Sequence, residues 1–230
     1  MAGDGELTKQ RAGHRDRLRQ RMREAGEAAF EDYELLEYLL TFAHRQGDTK
    51  AIAKRLIAEF GSFGAVLSAD PADLERVKGC GETSIAAIKF VEAAAIRKLR
   101  GEAAARPVLG NWRAVTDYLR VSLADQRREQ FRILLLDTKN VMIADRKLSQ
   151  GTVDQAAVYI REILTSALEQ KASALILVHN HPSGDPSPSR ADIVMTKQIV
   201  EALKPLHIYV HDHLIVGAGE PYSMKANGLF

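Results

Sequence analysis

The sequence predicts two folds in tandem: a small all-α domain, then an α/β domain, an α+β sandwich whose mixed sheet carries flanking helices. Two patterns along the 230 residues predict this. Before about residue 100, apolar residues recur at helical spacing and glycines punctuate short segments. After residue 110, short apolar runs alternate with amphipathic stretches, as a layered sheet requires. A third observation places the chemistry. The apolar run Leu175–Val178 ends in His179 and His181, and a loop rich in Pro, Ser and Gly leads from there to Ser189 and Asp192.

The first 24 residues read as a basic arm. Lys9, Arg11, Arg15, Arg17, Arg19, Arg21 and Arg23 stand against Asp16 alone, although the whole chain carries only +2. Such a segment attracts phosphates by counterion release, or is simply a solvated helix face. Residues 25–100 read as helices: Tyr33, Leu35, Leu36, Tyr38, Leu39 and Leu40 form one apolar cluster, and Ile52, Leu56 and Ile57 begin another. Leu74 and Val77 close a short helix, Gly79-Cys80-Gly81 turns the chain, and Ile85, Ile88 and Val91 line the next helix. This looks like a helix-hairpin-helix module. Its glycines let the backbone approach a DNA phosphate closely, and Lys78 and Lys89 add charge. The alternative is a structural turn with Cys80 as a small core residue.

The boundary is expected in residues 101–110, alanine-rich and ending in Pro107 and Gly110, with little to pack. From residue 111 the expected order is a helix over 114–123, strands over 131–137 and 140–148, and a helix over 154–169. A strand over 173–178 leads into the motif, a helix runs over 189–203, and the last strand is His207–Gly217. Hydrophobic content of 46% and charged content of 27% suit a soluble globular protein, and no apolar run approaches the roughly 20 residues of a membrane span. One cysteine excludes an internal disulfide. With no apolar core behind the basic N-terminus, a cytoplasmic location is the expectation.

Side chains two apart on a strand share a face, so His179 and His181 would point together, and a helix beginning near Ser189 would return Asp192 to them. Two imidazoles and a carboxylate suit a catalytic zinc with one position left for water; Mn²⁺ or Fe²⁺ suits the same donors. Read without a metal, Ser189 and Asp192 are an N-cap and an N3 acid.

The spacing His-x-His, seven residues, Ser, two residues, Asp resembles the JAMM (MPN+) metalloprotease family, and the words HNHPSG, PSRAD and HDHLIVG resemble its RadC branch over nearly the whole chain. That resemblance implies a JAMM/MPN-type domain over residues 111–230. It implies metal ligation by His179, His181 and Asp192, oxyanion stabilisation by Ser189, and a general acid–base glutamate at the start of an upstream strand. Glu129, ahead of Phe131–Asp137, matches best; Glu162 is the competitor, in a stretch where the family reads Val-His-Pro-Arg-Glu and this chain has Val158-Tyr159-Ile160-Arg161-Glu162. Asp212 and His213 are expected as support behind the ligands. The implied activity is cleavage of a peptide or isopeptide bond by metal-activated water, in association with DNA. Two alternatives stand beside it: a metal-dependent nuclease, and a non-catalytic DNA-binding adaptor of repair or recombination, a role the resemblance alone suggests.

Overall fold

In a computed structural model, residues 3–44, 48–150 and 160–230 are described. The chain divides into two compact units, Met1–Ala93 and Ala94–Phe230.

The first unit is helical. The basic arm lies within helix α1 (Gly3–Ala25), which continues beyond its charged stretch and buries Leu18. Contacts with α2 (Asp32–Ala43) hold α1: His14 Nε2 lies 2.8 Å from Glu37 Oε1, and Arg21 pairs with Glu34 at 2.8 Å. Helices α3 (Thr49–Phe60), α4 (Phe63–Ser68), α5 (Pro71–Glu75) and α6 (Glu82–Ala104) complete the set. Leu36, Leu40, Leu56, Val66, Leu74 and Ile88 form one core, with Cys80 inside it. Burial raises the Cys80 thiol pKa, against a weaker hydrogen bond from Ser84. The two glycines of the hairpin differ. Gly79 has φ of 90°, a conformation that favours glycine, and a Cβ there would come within 3.1 Å of the Ile52 side chain, which would have to shift. Gly81 has open space around its Cα.

The expected linker does not behave as a spacer. Alanine favours helix, and α6 runs on to Ala104; Ala103 and Val108 are fully buried in the core of the second unit. The second unit continues with α7 (Trp112–Leu123), β1 (Gln130–Leu136), β2 (Met142–Gln150), α8 (Ile160–Glu169), β3 (Ala174–Asn180), α9 (Arg190–Leu203), β4 (Tyr209–Val216) and β5 (Tyr222–Ser223). The expected helix start near Asp154, with Val158 and Tyr159, lies outside the described residues. The five strands form one mixed sheet in the order β2-β1-β3-β4-β5. Only β3 and β4 pair in parallel, joined through α9, while β1 is antiparallel to both β2 and β3.

Both faces of this sheet are covered. Val115, Tyr118, Leu119 and Leu123 of α7 pack with Leu134, Ile176, Val178 and Leu214 on one face. Ile163 and Ala167 of α8 and Ile199 and Leu203 of α9 pack with Phe131, Ile133, Leu175 and Leu177 on the other. Central β3 is buried at every residue, which explains its unbroken apolar run. Leu177→Ala is therefore expected to destabilise the second unit by about 2–5 kcal/mol in denaturant unfolding, because the cavity cannot collapse between two covered faces. Ile143→Ala, on a half-exposed side chain of β2, should change stability far less.

Candidate metal centre

Strand β3 delivers His179 at the end of its buried run, and His181 follows the strand's last residue, its backbone N–H bonded to the Val216 carbonyl at 2.9 Å. From there the loop is clasped to the end of β4: Gly184 N–H donates to His181 O, and Ala218 N–H donates to Gly184 O, both at 2.9 Å. A Cβ on Gly217 would meet Gly184 O at 2.4 Å, so only glycine lets the two backbones approach this closely.

Helix α9 brings back the carboxylate. Ser189 is its N-cap, and the two residues form a capping box. Ser189 Oγ accepts from Asp192 N–H at 3.2 Å, and Ser189 N–H donates to Asp192 Oδ2 at 2.7 Å. That grip fixes the rotamer of a carboxylate whose oxygens lie 3.6 Å from His179 Nε2 and 3.8 Å from His181 Nε2. Capping and convergence on the histidines are therefore both present in one side chain.

The two imidazoles face each other with Nε2 atoms 2.9 Å apart. The other nitrogen of each ring is engaged elsewhere. His181 Nδ1 donates to the Asp185 carbonyl at 2.8 Å, an atom that can only accept, so the neutral ring carries its lone pair at Nε2. His179 Nδ1 lies 2.8 Å from His213 Nε2. Burial lowers the His179 pKa to about 4 despite the neighbouring Asp192 charge, which keeps the ring neutral near pH 7. One ligand atom from each of His179, His181 and Asp192 lies within 4.8 Å of the others. Two imidazole nitrogens and one carboxylate oxygen converging so closely fit a single cation, and zinc takes such donors at about 2.0–2.2 Å.

Residues 109–229 match the RadC-like JAB domain family, and residues 10–86 match the UPF0758 N-terminal family. The chain belongs to the RadC family. A UPF0758 protein of Rhodobacter capsulatus is 51% identical over 212 residues, covering 92% of this chain and 99% of the relative. The sandwich with its mixed sheet is the JAB/MPN type of α/β domain that the motif implied.

The remaining residues singled out in this RadC-family sequence fall into different places. Glu129 immediately precedes β1, and Phe131 pairs with His179 across the antiparallel β1–β3 ladder. That pairing stops at Phe131 and His179, and Gln130 N–H turns to the Asn180 side chain, so Glu129 stands beside the strand end only as the residue that leads into β1. Glu162, on α8, instead lines a surface cleft with Lys147, Leu148, Arg161, Thr165 and Ser166. His213 touches His179 directly. The Asp212 carboxylate turns to Ser223 Oγ and to the backbone N–H groups of Lys225 and His213, tying β4 to the chain after β5. In the helical unit, Lys78 and Gly81 are exposed beside Gly79, whereas the Lys89 ammonium is held by the Leu67 carbonyl at 2.7 Å and Glu92 at 2.8 Å.

Asn180 and Thr196 escaped the sequence reading. Asn180 alternates away from His179 onto the opposite sheet face, where a buried amide must find partners. It receives Gln130 N–H at 2.9 Å and donates to the Gln126 and Arg128 carbonyls at 3.2 Å, clamping the loop that carries Glu129. Asn180→Ala removes all three bonds. It is expected to lower stability by about 1–3 kcal/mol and to speed hydrogen exchange in peptides spanning 126–130. Unchanged exchange there would show that Asn180 does not hold the loop.

Proposed function

We propose that this RadC-family chain is a metal-dependent hydrolase, using zinc, that cleaves a peptide or isopeptide bond. The observation that supports this most directly is the convergence of His179 Nε2, His181 Nε2 and an Asp192 oxygen within 4.8 Å, with both remaining imidazole nitrogens already engaged. Three protein ligands leave a zinc ion room for a water molecule, whose pKa it lowers from 15.7 to about 7.

The chain's own residues supply the rest. Glu129, immediately ahead of β1, whose Phe131 pairs with His179, accepts a proton from the attacking water and returns it to the leaving amine. Ser189 Oγ, which accepts from Asp192 N–H, keeps its own hydroxyl proton for an oxyanion developing beside the site; losing such a donor typically costs about 2.7–4 kcal/mol. His213 supports His179 from behind. The Asn180 clamp fixes the loop from which Glu129 acts. The single carboxylate of the group favours amide over phosphodiester cleavage, since two-metal nuclease clefts draw on further acidic ligands. For the helical unit we propose contact with DNA phosphates through the basic stretch of α1 and the exposed Lys78, Gly79 and Gly81. Lys89, already held by two acceptors, is a weaker candidate.

Protein purified without added metal is expected to carry about one zinc ion per chain, and His181→Ala to lose it. Glu129→Gln should keep the zinc yet lower turnover of lysine-linked isopeptide or peptide substrates by about 10²–10⁴-fold, while Glu162→Gln leaves turnover intact. Full activity in Glu129→Gln would contradict the glutamate assignment. Wild-type protein that takes up no zinc, manganese or iron would contradict the hydrolase reading as a whole.

A further inference from the structure

The cations of the helical unit differ in how far their charge is already compensated. On α1, Arg19 pairs with Asp16 at 2.9 Å, and Arg21 pairs with Glu34 at 2.8 Å and lies over the Phe30 ring. Helix α3 is different. It carries Lys50, Lys54 and Arg55 against Glu59 alone, and all three cations are exposed. Its buried side is Thr49, Ala53 and Leu56, which leaves the cations together on the opposite face. Among the described residues, none of Lys50, Lys54, Arg55 and the hairpin's Lys78 forms an ion pair with a carboxylate. Glu34 is near enough to feel the Lys50 charge, but Arg21 holds it.

Arg55 joins this face to the hairpin between α5 and α6. Its Nε donates to the Lys78 carbonyl at 2.9 Å, and a Cβ on Gly79 would come within 3.2 Å of its Nη2. The guanidinium therefore rests against the bare turn, and its Nη groups keep the remaining donors for an outside acceptor. Lys50 and Lys54 stand 5.8 and 5.1 Å from the centroid of the Tyr33 ring, so the aromatic bordering this face is already covered by cations. Single-stranded nucleic acids are held on bare aromatic rings against which bases stack. A row of uncompensated cations without such a ring suits the phosphates of a duplex instead.

We infer that the exposed face of α3, carried on to Lys78 by Arg55, is the main surface through which the helical unit meets the phosphates of duplex DNA. The inference rests on the proposed DNA contact of that unit and goes beyond it by assigning Lys50, Lys54 and Arg55. Each phosphate these side chains neutralise releases counterions, and so adds about one unit to the slope of log affinity against log salt. Contacts of this kind position the protein without reading sequence.

Fluorescence anisotropy of the full chain with a short labelled duplex, repeated over a series of sodium chloride concentrations, reads affinity and slope together. Arg55→Gln should weaken binding about 10-fold, equally for duplexes of two unrelated sequences, and lower the slope by about one unit. The triple variant Lys50→Gln, Lys54→Gln, Arg55→Gln should lower it by about three units. Arg55→Lys, which keeps the charge, should keep the slope. Arg76→Gln should leave both readings at the wild-type values, because Arg76 is exposed beside the hairpin but paired with Asp73 at 2.9 Å. The replaced side chains are exposed, so every variant should melt as the wild type does. An unchanged slope in the triple variant, or weaker binding by Arg55→Gln at an unchanged slope, would overturn the inference while the DNA contact stood. So would a loss in Arg76→Gln as large as that in Arg55→Gln, or tighter binding of single-stranded than of duplex DNA. Wild-type protein that binds no duplex at low salt would overturn the DNA reading of the helical unit itself.

Discussion

Strand β3 is covered on both faces, and it ends in polar side chains that must stay buried. His179, Asn180 and the His213 beside them on β4 have almost no exposure to water, and Thr196 has none. A polar group taken from water without a partner costs about 1–3 kcal/mol by protein mutational data. The strand end is tolerable only because every one of these groups finds a partner from a different element. Asn180 turns to the loop before β1, His213 to α9, and His179 to His213. The same bonds that remove the burial penalty hold the loop before β1, the start of α9 and β4 in one arrangement around His179.

That arrangement makes one carboxylate serve two purposes. Asp192 caps the first turn of α9 by accepting Ser189 N–H, and the helix in turn fixes where its oxygens lie, close to both imidazoles. The helix start and the candidate metal group share Asp192, so a change that loosened the cap would also move one of the three candidate ligand atoms. The loop between His181 and Ser189 is pinned at its near end by His181 N–H on Val216 and by Gly184 against Ala218. The group is thereby built on a strand and a helix, with the intervening loop fastened at its root.

The fold was largely legible because its signals are local. The periodicity that marks α7, β1, β3 and α9 is written in consecutive residues, and the His-x-His and Ser-x-x-Asp spacing needs no tertiary knowledge. What was not legible depends on contacts distant in sequence. Asn180 acts on Gln126, Arg128 and Gln130, and Thr196 on His213; neither partner follows from spacing, although a polar residue on the far face of a buried strand signals an unmet need. Residues 101–110 looked unpacked because alanine and proline read as a break, yet Ala103 and Val108 are buried by residues far along the chain. Tyr222–Ser223 is too short to read as a strand and exists by pairing with Leu214 and Ile215.

The central claim is that His179, His181 and Asp192 share one metal ion. Crystals grown with zinc, measured on either side of the zinc absorption edge, test it most directly. The account predicts one strong anomalous peak bonded to His179 Nε2, His181 Nε2 and an Asp192 oxygen, at about 2.0–2.2 Å from each. Zinc bound stoichiometrically elsewhere, with His179 and His181 still facing each other across an empty gap, would contradict it.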